Sequence, residues 1–158
     1  MHTSFPKFIK QCRIDAKMTQ EYAAIELNVP RRSLVNYESG FTAVPDDIAV
    51  AMSKLYNAPI IRYLWLRNTL CGQFLLEVEE KDLAENILSL AVCFSNARTC
   101  IADLMAIGAD GHIDMKETPK YIQILDTFRH LAKDILLLNF HQNKKAPSDI
   151  RSKKALRD

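Results

Sequence analysis

The chain has 158 residues, of which 48% are hydrophobic and 25% are charged, a composition typical of one or two globular domains. Its first residues, MHTSFPKFIK, contain no signal-peptide core, and no uninterrupted apolar run approaches the ~18 residues of a membrane span. The sequence therefore predicts a cytoplasmic protein without a membrane partner. The four cysteines lack C-x-x-C spacing, which predicts reduced thiols and no metal site.

The net charge of +2 is unevenly distributed and predicts three segments. Residues 1–72 carry nine Lys/Arg and six Asp/Glu, residues 73–142 carry six and eleven, and residues 143–158 carry six and two. An anionic partner would be attracted to the two ends and repelled by the middle. We predict a domain at 1–72, a helical hairpin at 73–142 and a basic, disordered tail at 143–158. The tail either contacts an anionic partner or only aids solubility.

Apolar residues recur at helical spacing throughout, and β-branched alternation is absent, so we predict an all-α fold. Residues 1–72 are expected to form five short helices that begin near Phe5, Thr19, Pro30, Pro45 and Ile60. Thr19 is a good N-cap, Asn28 suits the left-handed conformation that ends a helix, and Gly40 stops the third helix.

The segment 73–142 shows two long helical patterns separated by a turn at residues 108–111. In the first, from about residue 79 to 107, successive apolar residues are alternately four and three positions apart, as in helices packed along a seam. Its expected seam is Leu83, Ile87, Leu90, Phe94, Ala97, Ile101 and Leu104. The second runs from about 115 to 143, with the seam Tyr121, Ile124, Phe128, Leu131, Ile135 and Leu138. Asp114 and Glu117 fit a capping box, and Thr118-Pro119 is an alternative start.

The second long helix has more apolar width than one neighbouring helix can cover. A second copy of the hairpin would complete a four-helix bundle across a dimer. The expected dimerisation residues are Leu90, Phe94, Leu125, Phe128, Leu131, Ala132, Ile135, Leu136 and Leu138. The alternative is that they pack on the N-terminal helices of the same chain.

Residues 19–40, TQEYAAIELNVPRRSLVNYESG, place two short helices around a tight turn, as in a helix-turn-helix. From about Phe8 to Leu70 the sequence resembles the Xre family, the phage-repressor and Cro type of DNA-binding domain. The region of resemblance covers about 40% of the chain. The matching residues are Arg13, Thr19-Gln20-Glu21, Ala23-Ala24, Asn28-Val29, Leu34, Tyr37-Glu38-Ser39-Gly40 and Leu55. The resemblance implies a five-helix fold and a transcriptional regulator, such as those of phages and mobile elements.

The resemblance also implies the role of each residue. Gln20 begins the helix that crosses the DNA backbone and is expected to bind a phosphate, as is Thr42 in the loop after the recognition helix. Base contacts are expected from Arg31, Arg32, Ser33, Val35 and Asn36. Asn36 either reads adenine or holds a phosphate.

Arg13 and Glu38 are expected to form a buried structural ion pair. Two departures from the family pattern matter. Pro30 replaces the usual Ser or Thr N-cap, and the loop 41–44 lacks Lys and Arg, which predicts fewer phosphate contacts.

We therefore predict a dimeric repressor that binds double-stranded DNA at an inverted repeat. An alternative is an antitoxin-like module or other regulator whose hairpin binds a partner protein. A third possibility, a small-molecule sensor, is not favoured because the seams show no polar cluster. No cofactor, metal or enzymatic activity is expected, since the sequence has no Gly-rich phosphate loop and no catalytic triad.

Overall fold

The computed structural model describes residues 4–141, and all regular secondary structure in that range is α-helical. The helices are α1 (Phe5–Asp15), α2 (Gln20–Glu26), α3 (Arg31–Ser39), α4 (Asp46–Leu55), α5 (Ile60–Arg67), α6 (Leu83–Ile107) and α7 (Thr118–His141). The all-α prediction is confirmed. The basic tail predicted at 143–158 lies outside the described residues. The described residues fall into two compact units, the first ending at Leu75 and the second running from Leu76 to His141.

Short-range signals set the helix boundaries of the first unit. The Thr19 hydroxyl accepts the backbone N–H of Tyr22 at 3.1 Å and caps α2. Asn28 has a φ of +53°, and Gly40 ends α3 with a φ of +78°. A Cβ atom at Gly40 would lie 3.1 Å from Cγ of Pro6, so both backbone conformation and space favour glycine there. The predicted roles of Thr19, Asn28 and Gly40 are confirmed.

Each helix of the first unit contributes a fully buried side chain to a single core. These side chains are 0% exposed: Ile9, Ala23, Leu34, Met52 and Ile61. Burying a large aliphatic side chain stabilises the fold by about 1.5–3 kcal/mol. Trp65 packs against the same core, and its indole N–H donates to the Val44 carbonyl at 2.7 Å. Because Leu34 holds the inner face of α3 in this core, the opposite face of α3 is turned outward.

The second unit is an antiparallel pair of long helices. Ser89 near the start of α6 contacts Asp134 near the end of α7 at 2.7 Å. Lys120 at the start of α7 contacts Asp103 near the end of α6, also at 2.7 Å. Asp82 caps α6 by accepting the Glu85 N–H at 2.8 Å, so α6 begins at Leu83 and the predicted start near residue 79 is too early.

The predicted capping box precedes α7. The Asp114 carboxylate accepts the Glu117 N–H at 2.7 Å, and the Glu117 carboxylate accepts the Asp114 N–H at 3.1 Å. The Thr118 hydroxyl donates to the Asp114 carbonyl at 2.7 Å, and the regular helix is counted from Thr118. Both sequence signals for the start of this helix therefore operate together.

The predicted seam of α6 is partly wrong. Four of its residues are about half exposed or more: Leu83 at 50%, Ile87 at 51%, Phe94 at 64% and Ile101 at 48%. The line that faces α7 lies on a neighbouring side of the helix and keeps the alternating steps of four and three. It consists of Asn86, Leu90, Cys93, Ala97, Cys100, Leu104 and Ile107, all buried or half-buried. The spacing was correct, but α7 packs against a different line of residues.

The seam of α7 also differs from the prediction in its C-terminal part, where Leu137 is 3% exposed and the predicted Leu138 is half-buried. Ile135 is 49% exposed, and its neighbour Asp134 is buried in its place at 2% exposure. Asp134 accepts hydrogen bonds from Lys81 at 2.9 Å and from Ser89 at 2.7 Å. Burial alone would raise the pKa of Asp134, but hydrogen bonds from Ser89, Lys81 and Cys93 outweigh it, so the pKa lies below its ordinary value. The expectation that the seams lack a polar cluster is therefore wrong.

α6 is apolar on nearly all sides. By length and composition it could cross a membrane, since an 18-residue window has a mean hydropathy of 1.4 and only 11% of it is buried. Polar residues such as Ser89, Asn96 and Arg98 interrupt its apolar residues, so no uninterrupted apolar run reveals this property in the sequence. The helix paired with α6 carries Asp126, Arg129, Lys133 and Asp134. Each charge would cost about 2.5–3.5 kcal/mol near a bilayer centre.

Candidate nucleic-acid interface

The turn between α2 and α3 is closed by backbone hydrogen bonds. The Asn28 N–H donates to Ile25 O and the Val29 N–H to Ala24 O, both at 3.0 Å. Pro30 precedes α3 with a φ of −57° and makes no side-chain cap. Its fixed φ and missing N–H suit the start of a helix, so α3 begins at Arg31 although the usual capping hydroxyl is absent.

A buried ion pair ties α1 to α3. The Arg13 guanidinium donates to both carboxylate oxygens of Glu38, at 2.6 Å through Nε and 3.0 Å through Nη2. The two side chains are 8% and 3% exposed. Nη1 donates to the Met18 carbonyl at 2.7 Å. The hydrogen bond to Glu38 raises the pKa of Arg13 against the opposing effect of burial. This pair fixes the position of the inner face of α3.

Gln20 begins α2 beside this pair. Its amide nitrogen donates to Glu38 Oε2 at 2.9 Å, a contact that sequence reasoning missed. A side-chain amide has two N–H donors, so a phosphate contact by Gln20 would use the second one. The hydrogen bond to Glu38 holds the Gln20 side chain in one orientation at the N-terminus of α2, where partial positive charge favours an anion.

The two arginines at the start of α3 differ in their surroundings. Arg31 forms an ion pair with Glu21 of α2 at 2.6 Å, with the side chains 60% and 62% exposed. Exposed pairs of this kind contribute about 0–1 kcal/mol, so a DNA phosphate or base can compete with Glu21. Arg32 is exposed. On the same outer side Val35 is 36% exposed, and Ser33 and Asn36 are half-buried.

The first backbone N–H groups of the loop after α3 donate hydrogen bonds to α3 itself. The backbone N–H groups of Phe41 and Thr42 donate to the Asn36 carbonyl at 2.9 and 3.3 Å. Thr42 is exposed, and a phosphate contact at this residue would therefore come from its hydroxyl. Phe41 is 84% exposed, so this loop, which lacks Lys and Arg, presents an aromatic side chain to solvent.

The expected dimerisation residues are placed mostly at the edge of the α6–α7 pair. Phe94 and Ile135 are exposed at 64% and 49%, and Ala132 is exposed as well. The others are half-buried: Leu90, Leu125, Phe128, Leu131, Leu136 and Leu138. Within residues 4–141, no group of three or more His, Cys, Asp or Glu side chains is placed to hold a metal ion.

Five helices around one core, with the second and third joined by a tight turn and the third exposing its outer face, define a helix-turn-helix DNA-binding domain. A family model described as helix-turn-helix matches residues 9–61. These residues, about a third of the chain, form a domain of the Xre type. Searches of curated proteins and of solved structures gave no match. The domain identifies a DNA-binding transcriptional regulator as the class of protein.

Proposed function

We propose that this protein is a cytoplasmic repressor that binds an inverted-repeat operator as a homodimer. The observation that carries the proposal is the outer face of α3, where Arg32, Val35 and the half-buried Asn36 lie on a helix fixed by the Arg13–Glu38 pair. A recognition helix of this kind inserts its N-terminal residues into the major groove. Two copies related by a two-fold axis would read half-sites about 34 Å apart.

Arg32 is the residue expected to contribute most to base recognition. Its neighbour Arg31 pairs with Glu21 through Nε, so a DNA contact by Arg31 would compete with that carboxylate or use the other guanidinium N–H groups. An arginine can donate two parallel hydrogen bonds to O6 and N7 of guanine, which is worth about 1–3 kcal/mol of discrimination. Val35 offers an apolar contact for a thymine methyl group, and Asn36 offers an amide for adenine.

The test begins with selection of bound sequences from a random DNA pool, using the full chain. We expect enrichment of an inverted repeat with half-site centres 10–10.5 bp apart or a multiple of this spacing. On the recovered site, Arg32→Ala should weaken binding about 5- to 150-fold and relax the preference at one position in each half-site. The matched control is Arg62→Ala, because Arg62 is an equally charged, exposed residue on α5. A pool without an enriched sequence, or equal losses for both variants, would refute the proposal.

A second candidate function is the capture of a partner protein by the helical hairpin. The exposed apolar side chains of α6, including Phe94 at 64% exposure and Met105 at 72%, are the observation that favours it. The two candidates differ in the behaviour of the purified chain, since a repressor dimer covers these side chains with its own second copy. A monomer that exposes apolar surface and enriches no DNA would favour the partner-binding function.

A further inference from the structure

α6 is apolar on nearly all sides, and α7 covers one of them. One uncovered face, called here the outer stripe, consists of Leu83, Ile87, Phe94, Ile101 and Met105, which are 48–72% exposed. At about 100° per residue, these five positions fall within about 40° of one another on the helix surface. The centre of the stripe lies about 90° around the helix from the line that contacts α7. Four-helix bundles give each helix two neighbours in directions of this kind.

α7 has a comparable uncovered edge in its middle and C-terminal part. This α7 edge consists of Leu125, Phe128, Ala132, Ile135 and Leu136, which are half-buried or exposed. α6 and α7 together therefore present two adjacent apolar surfaces on one side of the hairpin pair. A second hairpin has the length and the two helices needed to cover both surfaces.

We propose that the outer stripe and the α7 edge are covered by a second copy of this chain, with α6 antiparallel to α6 of that copy. The inference deepens the proposed function, because it specifies the surface through which the homodimer forms. The outer stripe is symmetric about Phe94. Ile87 and Ile101 lie seven residues to either side of it, and Leu83 and Met105 lie eleven. A two-fold axis passing by Phe94 would therefore place apolar residues opposite apolar residues along the whole stripe.

The α7 edge has its own centre of symmetry, at residue 130. Leu125 and Ile135 lie five residues to either side, and Phe128 and Ala132 lie two. The contacts of Ser89 with Asp134 and of Asp103 with Lys120 fix the register of the hairpin. In this antiparallel register each step forward along α6 is a step back along α7. Both contacts therefore place Phe94 of α6 opposite residue 129 of α7. The two centres therefore coincide within one residue, about 1.5 Å along the helix, and a single two-fold axis serves both surfaces.

Charge favours the antiparallel arrangement over a parallel one. Arg98 lies at the margin of the outer stripe, and a parallel, in-register pair would bring it opposite its own copy. In the antiparallel pair the two Arg98 positions are eight residues apart along the axis, about 12 Å. This separation exceeds the Debye length of about 8 Å at physiological salt. Like-charge repulsion is therefore weaker in the antiparallel pair than in the parallel one.

The exposed surface is large enough for a dimer. At the observed exposures, the five side chains of the outer stripe offer on the order of 600 Å² per copy, and the α7 edge adds to this. A standard protein–protein interface buries about 800 Å² per partner. The stripe is also continuous, since 22 residues separate its ends and span about 33 Å of helix.

The test is the solution mass of the full chain by multi-angle light scattering across a dilution series, without DNA. The wild type should be a dimer of the 18.0-kDa chain. Phe94→Glu brings two carboxylates together at the axis and should raise the dimer Kd at least 100-fold. The matched control is Val92→Glu, because Val92 is 61% exposed on the same helix but lies about 160° from the stripe. A monomeric wild type, a dimeric Phe94→Glu, or equal effects of both variants would overturn the proposal.

A charge-complementation experiment tests the orientation. Ile87→Lys and Ile101→Glu should each weaken the dimer at least tenfold, and a 1:1 mixture should recover it, because residue 87 of one copy then faces residue 101 of the other. A mixture that stays monomeric overturns the antiparallel pairing. Circular dichroism of each variant establishes that it is folded. If the dimer behaves as described but no DNA motif is enriched, the proposed function fails and this surface stands. If a motif is enriched while Phe94→Glu remains dimeric, the surface assignment fails alone.

Discussion

The first unit contains two Arg–Glu pairs with the same 2.6 Å nitrogen–oxygen distance and opposite burial. The Arg13–Glu38 side chains are 8% and 3% exposed, whereas those of Arg31–Glu21 are 60% and 62% exposed. Their comparison isolates the effect of burial on the free energy of unfolding. We predict that Glu38→Ala is strongly destabilising and that Glu21→Ala is nearly neutral.

The magnitude follows from what each substitution leaves behind. Glu38→Ala strands the buried Arg13 guanidinium and removes an acceptor of Gln20, and breaking a buried pair in this way costs about 3–5 kcal/mol. A unit of this size has a total stability of only about 4–10 kcal/mol, so the midpoint of thermal unfolding should fall by more than 10 °C, at about 4–8 °C per kcal/mol. Glu21→Ala removes a solvated pair worth about 0–1 kcal/mol.

The assays are urea unfolding and thermal unfolding, both monitored by the fluorescence of Trp65, the one tryptophan of the chain. Trp65 packs on the core of the first unit, so its signal reports that unit. The double variant Arg13→Met/Glu38→Leu removes both charges and should recover most of the lost stability, because no buried charge remains without a partner. Equal costs for Glu38→Ala and Glu21→Ala, or a double variant as unstable as Glu38→Ala, would refute the reasoning.

Two further predictions concern polar residues buried between α6 and α7. Because the folded-state pKa of Asp134 is lowered, its stabilising effect is present above the unfolded pKa of about 3.9 and is lost as the pH falls through the folded value. Asp134→Asn should therefore be destabilising at pH 7 and much less so at pH 3 in urea unfolding followed by circular dichroism. The exposed Asp126→Asn is the control, and a pH-independent cost would contradict the account. Asn86 is 0% exposed, and neither its amide nitrogen nor its oxygen has a hydrogen-bond partner among the described residues. Asn86→Leu should stabilise the hairpin by about 1–3 kcal/mol, and a loss of stability relative to the exposed Asn96→Leu would disprove this.

The first unit could be predicted closely because its signals are local. A hydroxyl at Thr19, a residue tolerant of positive φ at Asn28 and the positive φ of Gly40 each act within a few residues of the chain, and only the limited space beside Pro6 at Gly40 is a distant constraint. Such signals depend little on distant packing. The same holds for the capping box at Asp114 and Glu117. The helix boundaries that these residues set agree with the sequence interpretation.

The packing of α6 could not be predicted from periodicity. Apolar residues occupy most of its circumference, so several lines of four-and-three spacing fit the sequence equally well. The line that contacts α7 includes Asn86 and Cys93, which a search for apolar seams passes over. The choice between these lines of residues depends on the contacts of Lys81 and Ser89 with Asp134. Asp134 lies 53 residues after Lys81 and 45 residues after Ser89 in the sequence.

The candidate DNA-binding surface shows the same limit. The sequence shows which residue types α3 exposes, but it does not show which side chains they contact. Glu21 approaches Arg31 and Gln20 approaches Glu38 only because α2 and α3 cross at the turn. These contacts alter the expected ranking of the DNA-binding residues, since Arg31 and Gln20 are already engaged while Arg32 is exposed.

The length of α6 connects the proposed dimer with the proposed operator. In the antiparallel pair, Leu83 of one copy lies beside Met105 of the other, so the two N-termini of α6 are separated by about 33 Å. Half-sites on one face of DNA are about 34–36 Å apart. Residues 76–82 lead from the end of the first unit to α6. A parallel pair would instead place both N-termini at one end, about 8–10 Å apart, and short linkers would then have to diverge to reach successive major grooves. In the proposed antiparallel dimer, the distance between the two α6 N-termini would therefore be close to the half-site separation of the proposed operator.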